Sequence, residues 1–187
     1  MMYRIEKVLN HNTVIAIHQD DHKEVLIMGK GVGFGRKVAE RIEVRPEDRL
    51  YSLQKYKERG GAKEIIKSIA PEFLELTNAV LDEAEKVFGK IDRMVLFPLA
   101  DHIAFAVKRI QNHEQISNPL TEDIRVLFHM EFKIAESIRP LLKKQFQIDI
   151  EDDEIGYVAL HIHSAIEDEK YHRQCRWQDL SGNASVW

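Results

Sequence analysis

From residue 29 to residue 35 the chain reads Gly29-Lys30-Gly31-Val32-Gly33-Phe34-Gly35, with glycine at every second position. Glycines in that number weaken any helix or strand, so the segment reads as a loop whose bare backbone can approach a partner closely. Arg36 and Lys37 follow at once, so one aromatic ring and three cations project from the loop. Charge for phosphate, a flat ring for a base and free amides are what a small module needs to hold a nucleic acid. The loop is not a nucleotide-binding turn. It matches neither G-x-x-x-x-G-K-[ST] nor G-x-G-x-x-G, and no helix follows to receive a phosphate. The same residues also describe a flexible β-hairpin with solvated lysines, and physics alone leaves both readings open.

What surrounds the loop has the alternation of short strands. Arg4-Ile5-Glu6-Lys7-Val8-Leu9 alternates polar and apolar, and Asn10-His11-Asn12 tolerates turn geometry. Val14–Ile17 and Val25–Met28 read as the next two strands, with a turn at 19–22 between them and a fourth strand near Leu50–Leu53. Asn10 and Asn12, on the neighbouring turn, are placed to read base edges beside Lys30, Phe34 and Arg36. A sheet of about 55 residues is marginal alone, and dimerisation would cover its exposed face. Residues 1–56 carry ten Lys/Arg against eight Asp/Glu, a balance of +2 in a chain whose net charge is −4. So weak a positive balance means that local placement of cations must do the binding.

Charged and polar residues from Lys55 to Gly61 mark a boundary, after which the apolar period becomes about 3.6. Helices are expected over 71–88, opened by Pro71 and closed by Gly89, and over 96–111, with Pro98 near its start or at a kink. Asn118-Pro119 signals a further start into 120–128, and 132–146 continues helical with a bend at Pro140. Asp152-Asp153 is expected to cap a last helix through about Glu167. The predicted architecture is α+β. A small antiparallel β-sheet domain (1–56) and a linker (57–64) precede an all-α bundle (65–169), and a tail (170–187) has no legible role.

Two histidines occupy matching places in that bundle. Ile155, Val158, Ala159, Ile162, Ala165 and Ile166 form one apolar face, with His161 about 100° to one side of Ile162. Leu99, Ile103, Ala106, Val107 and Ile110 form a similar face, and His102 flanks Ile103 in the same way. Such rings can meet at a partly exposed surface, or each can be an ordinary semi-buried helix-edge histidine. His161-Ile162-His163 is H-x-H, but on a helix those rings diverge by about 200° and cannot readily chelate one ion. No HExxH, cysteine pair or G-x-S-x-G elbow is present, so neither a metal, a cofactor nor a hydrolytic triad is expected. Glu151–Glu154 is more simply a helix start than a cation site. With 44% hydrophobic and 31% charged residues, no apolar run near the roughly 20 residues of a membrane span and one cysteine, Cys175, the chain reads as cytoplasmic.

Lys7-Val8-Leu9-Asn10-His11-Asn12 together with Gly29–Phe34 resembles the co-antiterminator RNA-binding domain of the BglG/SacY/LicT family. Asp101-His102-Ile103 and Asp153–Ile162 resemble that family's first phosphotransferase-system regulation domain, so the likeness spans about residues 1–169. It implies a transcription antiterminator, not an enzyme, that binds as a homodimer to an RNA hairpin overlapping a terminator. It places Lys7, Asn10, Asn12, Gly29, Lys30, Phe34 and Arg36 at the RNA. It makes His102 and His161 phosphorylation sites for a sugar permease (EIIB) or HPr, with Asp101 orienting His102. Members normally carry a second regulatory domain of about equal size, through which phosphorylated HPr usually activates, and no stretch of these residues matches it. A phospho-relay module without RNA binding is the alternative.

Overall fold

The computed structural model describes residues 1–53, 69–114 and 116–167. Its chain divides into two compact units, Met1–Glu75 and Leu76–Trp187, and the fold class is α+β. The expected linker (57–64) and tail (170–187) lie outside the described residues.

The first unit is a five-stranded antiparallel sheet. Its strands are β1 (Met2–Asn10), β2 (Thr13–His18), β3 (Glu24–Met28), β4 (Arg41–Glu43) and β5 (Arg49–Ser52), in the order β4-β1-β2-β3-β5. Alternation along the strands sends Tyr3, Ile5, Val14, Ala16, Val25, Ile27 and Ile42 into one core, and Val32 of the glycine loop joins them. One strand is additional to the four expected. β4 is three residues long with a single buried side chain, Ile42, opposite Tyr3 of β1. No period can be read from three residues, so only the pairing shows it. β1 also carries two register shifts, between Ile5 and Lys7 and between Val8 and Asn10. Such bulges sharpen the local twist just before the Asn10–Asn12 turn.

The second unit contains most of α1 (Pro71–Phe88), a 3₁₀ turn at Arg93–Val95, α2 (Leu96–Gln111), α3 (Thr121–Leu127), α4 (His129–Ala135), α5 (Ile138–Phe146) and α6 (Asp152–Ala165). Pro71 opens α1, and Gly89 takes φ +75° to close it, the left-handed turn that glycine adopts without strain. Leu99, Ile103, Ala106 and Val107 of α2 and Ile155, Val158, Ala159 and Ile162 of α6 are buried, as the period requires. Beyond α6, Ile166 pairs with Ile91 in an isolated bridge.

Two helix signals act differently from the sequence expectation. The stretch 132–146 does break, but at Glu136–Ser137 and not at Pro140. Pro140 is the third residue of α5, where a missing N–H removes no intrahelical bond. Asp152 and Asp153 lie inside the first turn of α6, and neither caps it; the N-cap position is Glu151, without a side-chain cap bond. Instead Asp153 accepts from the Asn118 backbone N–H at 3.1 Å and the Thr121 hydroxyl at 2.5 Å, holding the start of α3. Asp152 accepts from Arg125 at 2.5 Å and from Arg139. Donors on α3 and α5 came within reach of these carboxylates, and charge-assisted bonds prevailed over local capping. Among the described residues no helix is long and apolar enough to cross a membrane.

Candidate RNA-binding loop and histidine site

The glycine loop is fastened to the Asn10–Asn12 turn by backbone and side-chain bonds. Gly29 N–H donates to the Asn12 carbonyl and Gly33 N–H to the His11 carbonyl, both at 2.9 Å. Asn12 Oδ1 accepts from Gly31 N–H at 2.8 Å, and Asn10 Oδ1 accepts from Asn12 N–H at 2.9 Å. The side-chain carbonyls expected to read bases are therefore engaged within the protein. The four glycines divide into two kinds. A Cβ on Gly33 would stand 2.2 Å from the Asn10 carbonyl oxygen, and one on Gly29 would stand 1.8 Å from Asp48 Oδ1. Gly31 and Gly35 have open space but take φ of +73° and +67°. The bareness of Gly29 and Gly33 thus serves the chain's own packing.

Clamped in this way, the loop presents Phe34 to solvent at 67% exposure. Its ring meets the exposed His11 ring edge-on, with centroids 5.2 Å apart. His11 is a neighbour absent from the sequence-predicted site; its place between Asn10 and Asn12 was the available signal. Lys7, Lys30 and Arg36 are exposed. Arg36 is paired with Glu40 four residues on, and the hydrogen bond from Arg36 lowers the Glu40 pKa. A second clamp has no signal in the sequence. Arg45 binds the fully buried Asp48 carboxylate at 2.7 Å and donates to the Lys30 carbonyl at 2.8 Å, bracing the backbone that carries Lys30.

In the helical unit α2 and α6 bring His102 and His161 together, ring centroids 5.5 Å apart and tilted by 46°. Tyr157, one turn before His161, lies 5.8 Å from His102. His163 points elsewhere: its Nδ1 meets the buried Glu131 carboxylate at 2.9 Å, and its ring lies against Phe128. The carboxylate that faces His102 is not Asp101, which is exposed, but Glu154 of α6. Glu154 is 1% exposed, with Oε2 3.2 Å from His102 Nε2, and its Oε1 accepts from Arg109. The 3.2 Å contact lies off the line of a good hydrogen bond. Asp101 was adjacent in sequence, but adjacent helical residues point about 100° apart, whereas Glu154 comes across the α2–α6 contact.

Burial raises the Glu154 carboxyl pKa, yet His102 and Arg109 outweigh it and hold it below the usual range. Burial lowers the His161 imidazole, and the charge of His102 adds to that. Among the described residues no three His, Cys, Asp or Glu side chains converge as a metal site needs.

Residues 3–60 match the family described as CAT RNA binding domain, and residues 75–165 match the PRD domain. The GlcA/glcB genes antiterminator of Staphylococcus carnosus is 33% identical over 174 residues, covering 91% of this chain and 60% of that protein. Protein GlcT of Staphylococcus epidermidis is 29% identical over 170 residues, covering 88% of this chain and 58% of that protein. The chain thus spans about three fifths of the length of these curated relatives. A solved structure, the crystal structure of GlcT CAT-PRDI, superposes with a TM-score of 0.75 at 31% identity, covering 90% of this chain and all of that one.

Gly33→Ala should break the clip between Gly33 and His11 and destabilise the protein by about 1–3 kcal/mol in denaturant unfolding, since its new methyl meets the Asn10 carbonyl, backbone that cannot swing away. Equal stability of Gly33→Ala and wild type would mean that the clip is not tight. The histidine site makes stability depend on pH with a definite sign. Both His161 and Glu154 have folded-state values below their unfolded ones, so the unfolded chain binds protons first as pH falls. Stability, from unfolding followed at about 222 nm, should therefore be full above about pH 6.5 and fall below it as His161 protonates. It should fall again beneath the ordinary carboxylate range, and His161→Gln should flatten the first decline.

Proposed function

This chain belongs to the antiterminator family built from a CAT RNA-binding domain followed by a PRD domain, and from that membership we propose that it binds an RNA hairpin overlapping a transcription terminator. Phe34 carries the reading: a large, solvent-facing ring on a loop whose backbone is already ordered loses little entropy when a base stacks on it. Lys30, Lys7 and Arg36 contact phosphate around that ring, and Asn10, Asn12 and Gly29 hold the loop in shape for it. The +2 balance of residues 1–56 is small, so a homodimer, which doubles the cationic surface across a two-fold axis, is the form that binds.

His102 and His161 are the phosphoryl acceptors, and the donors are phosphotransferase-system proteins of the cytoplasm, a sugar permease (EIIB) or HPr. The juxtaposition of the two rings at one partly exposed edge supports this role. A phosphoryl group there adds about one and a half to two negative charges, by analogy with other phosphorylated side chains. In this reading the added charge weakens RNA binding. The domains run over 1–56 and 65–169, joined by 57–64.

The direct test is fluorescence anisotropy with imperfect RNA hairpins from upstream of sugar-permease genes in the source genome, at two salt concentrations. Phe34→Ala should cost about 1–3 kcal/mol of affinity with the salt slope unchanged. Lys30→Ala should lower the slope by about one. No binding by wild type leaves a phospho-dependent protein-interaction module as the function. His102→Asp or His161→Asp should weaken hairpin binding or read-through in a terminator–reporter assay, and full activity in both variants would remove the switch.

A further inference from the structure

We propose that Glu154 and Arg109 read the phosphorylation state of His102 and convert it into a looser grip between α2 and α6. The inference rests on the phosphoryl-acceptor reading of His102. In the unmodified chain one buried carboxylate satisfies two partners: Oε1 accepts from Arg109, and Oε2 faces His102 Nε2 at 3.2 Å. His102 Nε2 is itself buried against Glu154, so a phosphoryl group carried by this ring, whose side chain is 20% exposed, sets a second, stronger anion close beside that carboxylate. Two anions then compete for one guanidinium.

Arg109 lies on the same helix as His102, two turns along, so it can turn to the phosphoryl oxygens without any movement of α2 against α6. Its fork suits the three phosphoryl oxygens at least as well as a carboxylate. Once it turns, Glu154 is left as a buried charge without its cation, beside a dianion. Such a charge is not tolerated, so Glu154 must take a proton or α6 must move off α2. Arg109 also covers one face of the half-exposed Phe105 ring at 5.0 Å, so its departure exposes that ring further. Phosphorylation is thereby felt as changed helix packing and changed surface, not as local charge alone. The other groups at the cluster are Tyr157 and His161 of α6, neither of which supplies a cation while His161 is neutral.

The test is a double-mutant cycle on the full chain, read by thermal unfolding at about pH 7.5. His102→Glu places a carboxylate against Glu154 and should lower Tm by roughly 3–6 °C. Glu154→Gln should lower it as well. The double variant should lie clearly above the sum of the two losses, because it no longer opposes two anions. Additive losses would overturn the proposal. If Glu154→Gln does not fold, Arg109→Gln enters the cycle, and there the double variant should lie below the sum.

A second arm uses phosphoramidate, whose P–N bond breaks as an imidazole nitrogen attacks phosphorus, ammonia leaving with the bonding pair and a proton. Occupancy of His102 is read by peptide mass spectrometry, and His102→Gln subtracts the effect of other histidines. Modification should lower the wild-type Tm and leave that of Glu154→Gln nearly unmoved. Equal shifts in both overturn this proposal while the acceptor reading stands. An unmodified His102 overturns the acceptor reading itself.

Discussion

A carboxylate withdrawn from water ties two helices of the bundle, α2 and α6, to each other. Glu154 is ionised and almost fully covered, a state that survives only because Arg109 and His102 both face it. Removing the Arg109 cation from such a site costs several kcal/mol, far more than a surface ion pair contributes. Both partners of Glu154 lie on α2, so the buried charge ties α6 to α2 at the place where His102 and His161 stand side by side.

The glycine loop obeys a related rule. A glycine-rich segment has no side chains to hold it, and left alone it would sample many shapes. Here Gly29, Gly31 and Gly33 donate their N–H groups to the Asn10–Asn12 turn, while Arg45 and Asp48 brace the backbone from the other side. Conformational entropy is thus surrendered on folding, which leaves the exposed Phe34 ring on an ordered support. Both units hold a partly or fully exposed ring at a fixed place: the helices through a buried ion pair, the loop through backbone hydrogen bonds and the Arg45–Asp48 pair.

Much of the fold is legible from one-dimensional patterns because those patterns are local. Alternation in Arg4–Leu9 and the 3.6 period of Ile155, Val158, Ala159 and Ile162 report which side of each element meets the core. Pro71 and Gly89 delimit α1 because their own backbone preferences do so. β4 was invisible, since Arg41-Ile42-Glu43 is a strand only through its pairing with β1. Asp152 and Asp153 looked like caps of their own helix, and became instead acceptors for α3 and α5 once those helices packed alongside.

The order of residues by itself determined the α+β division, the core faces, the loop that carries Lys30 and Phe34, and the equivalent helical positions of His102 and His161. Each of these follows from steric preference or hydrophobic period within a short window. Which groups became partners was decided only in three dimensions. Glu154 and not Asp101 attends His102, the side-chain carbonyls of Asn10 and Asn12 turn inward to the loop, and His11 stands against Phe34. Hydrogen bonds and ion pairs reach about 3 Å, and no spacing along a chain reveals which distant residues folding will bring within that reach.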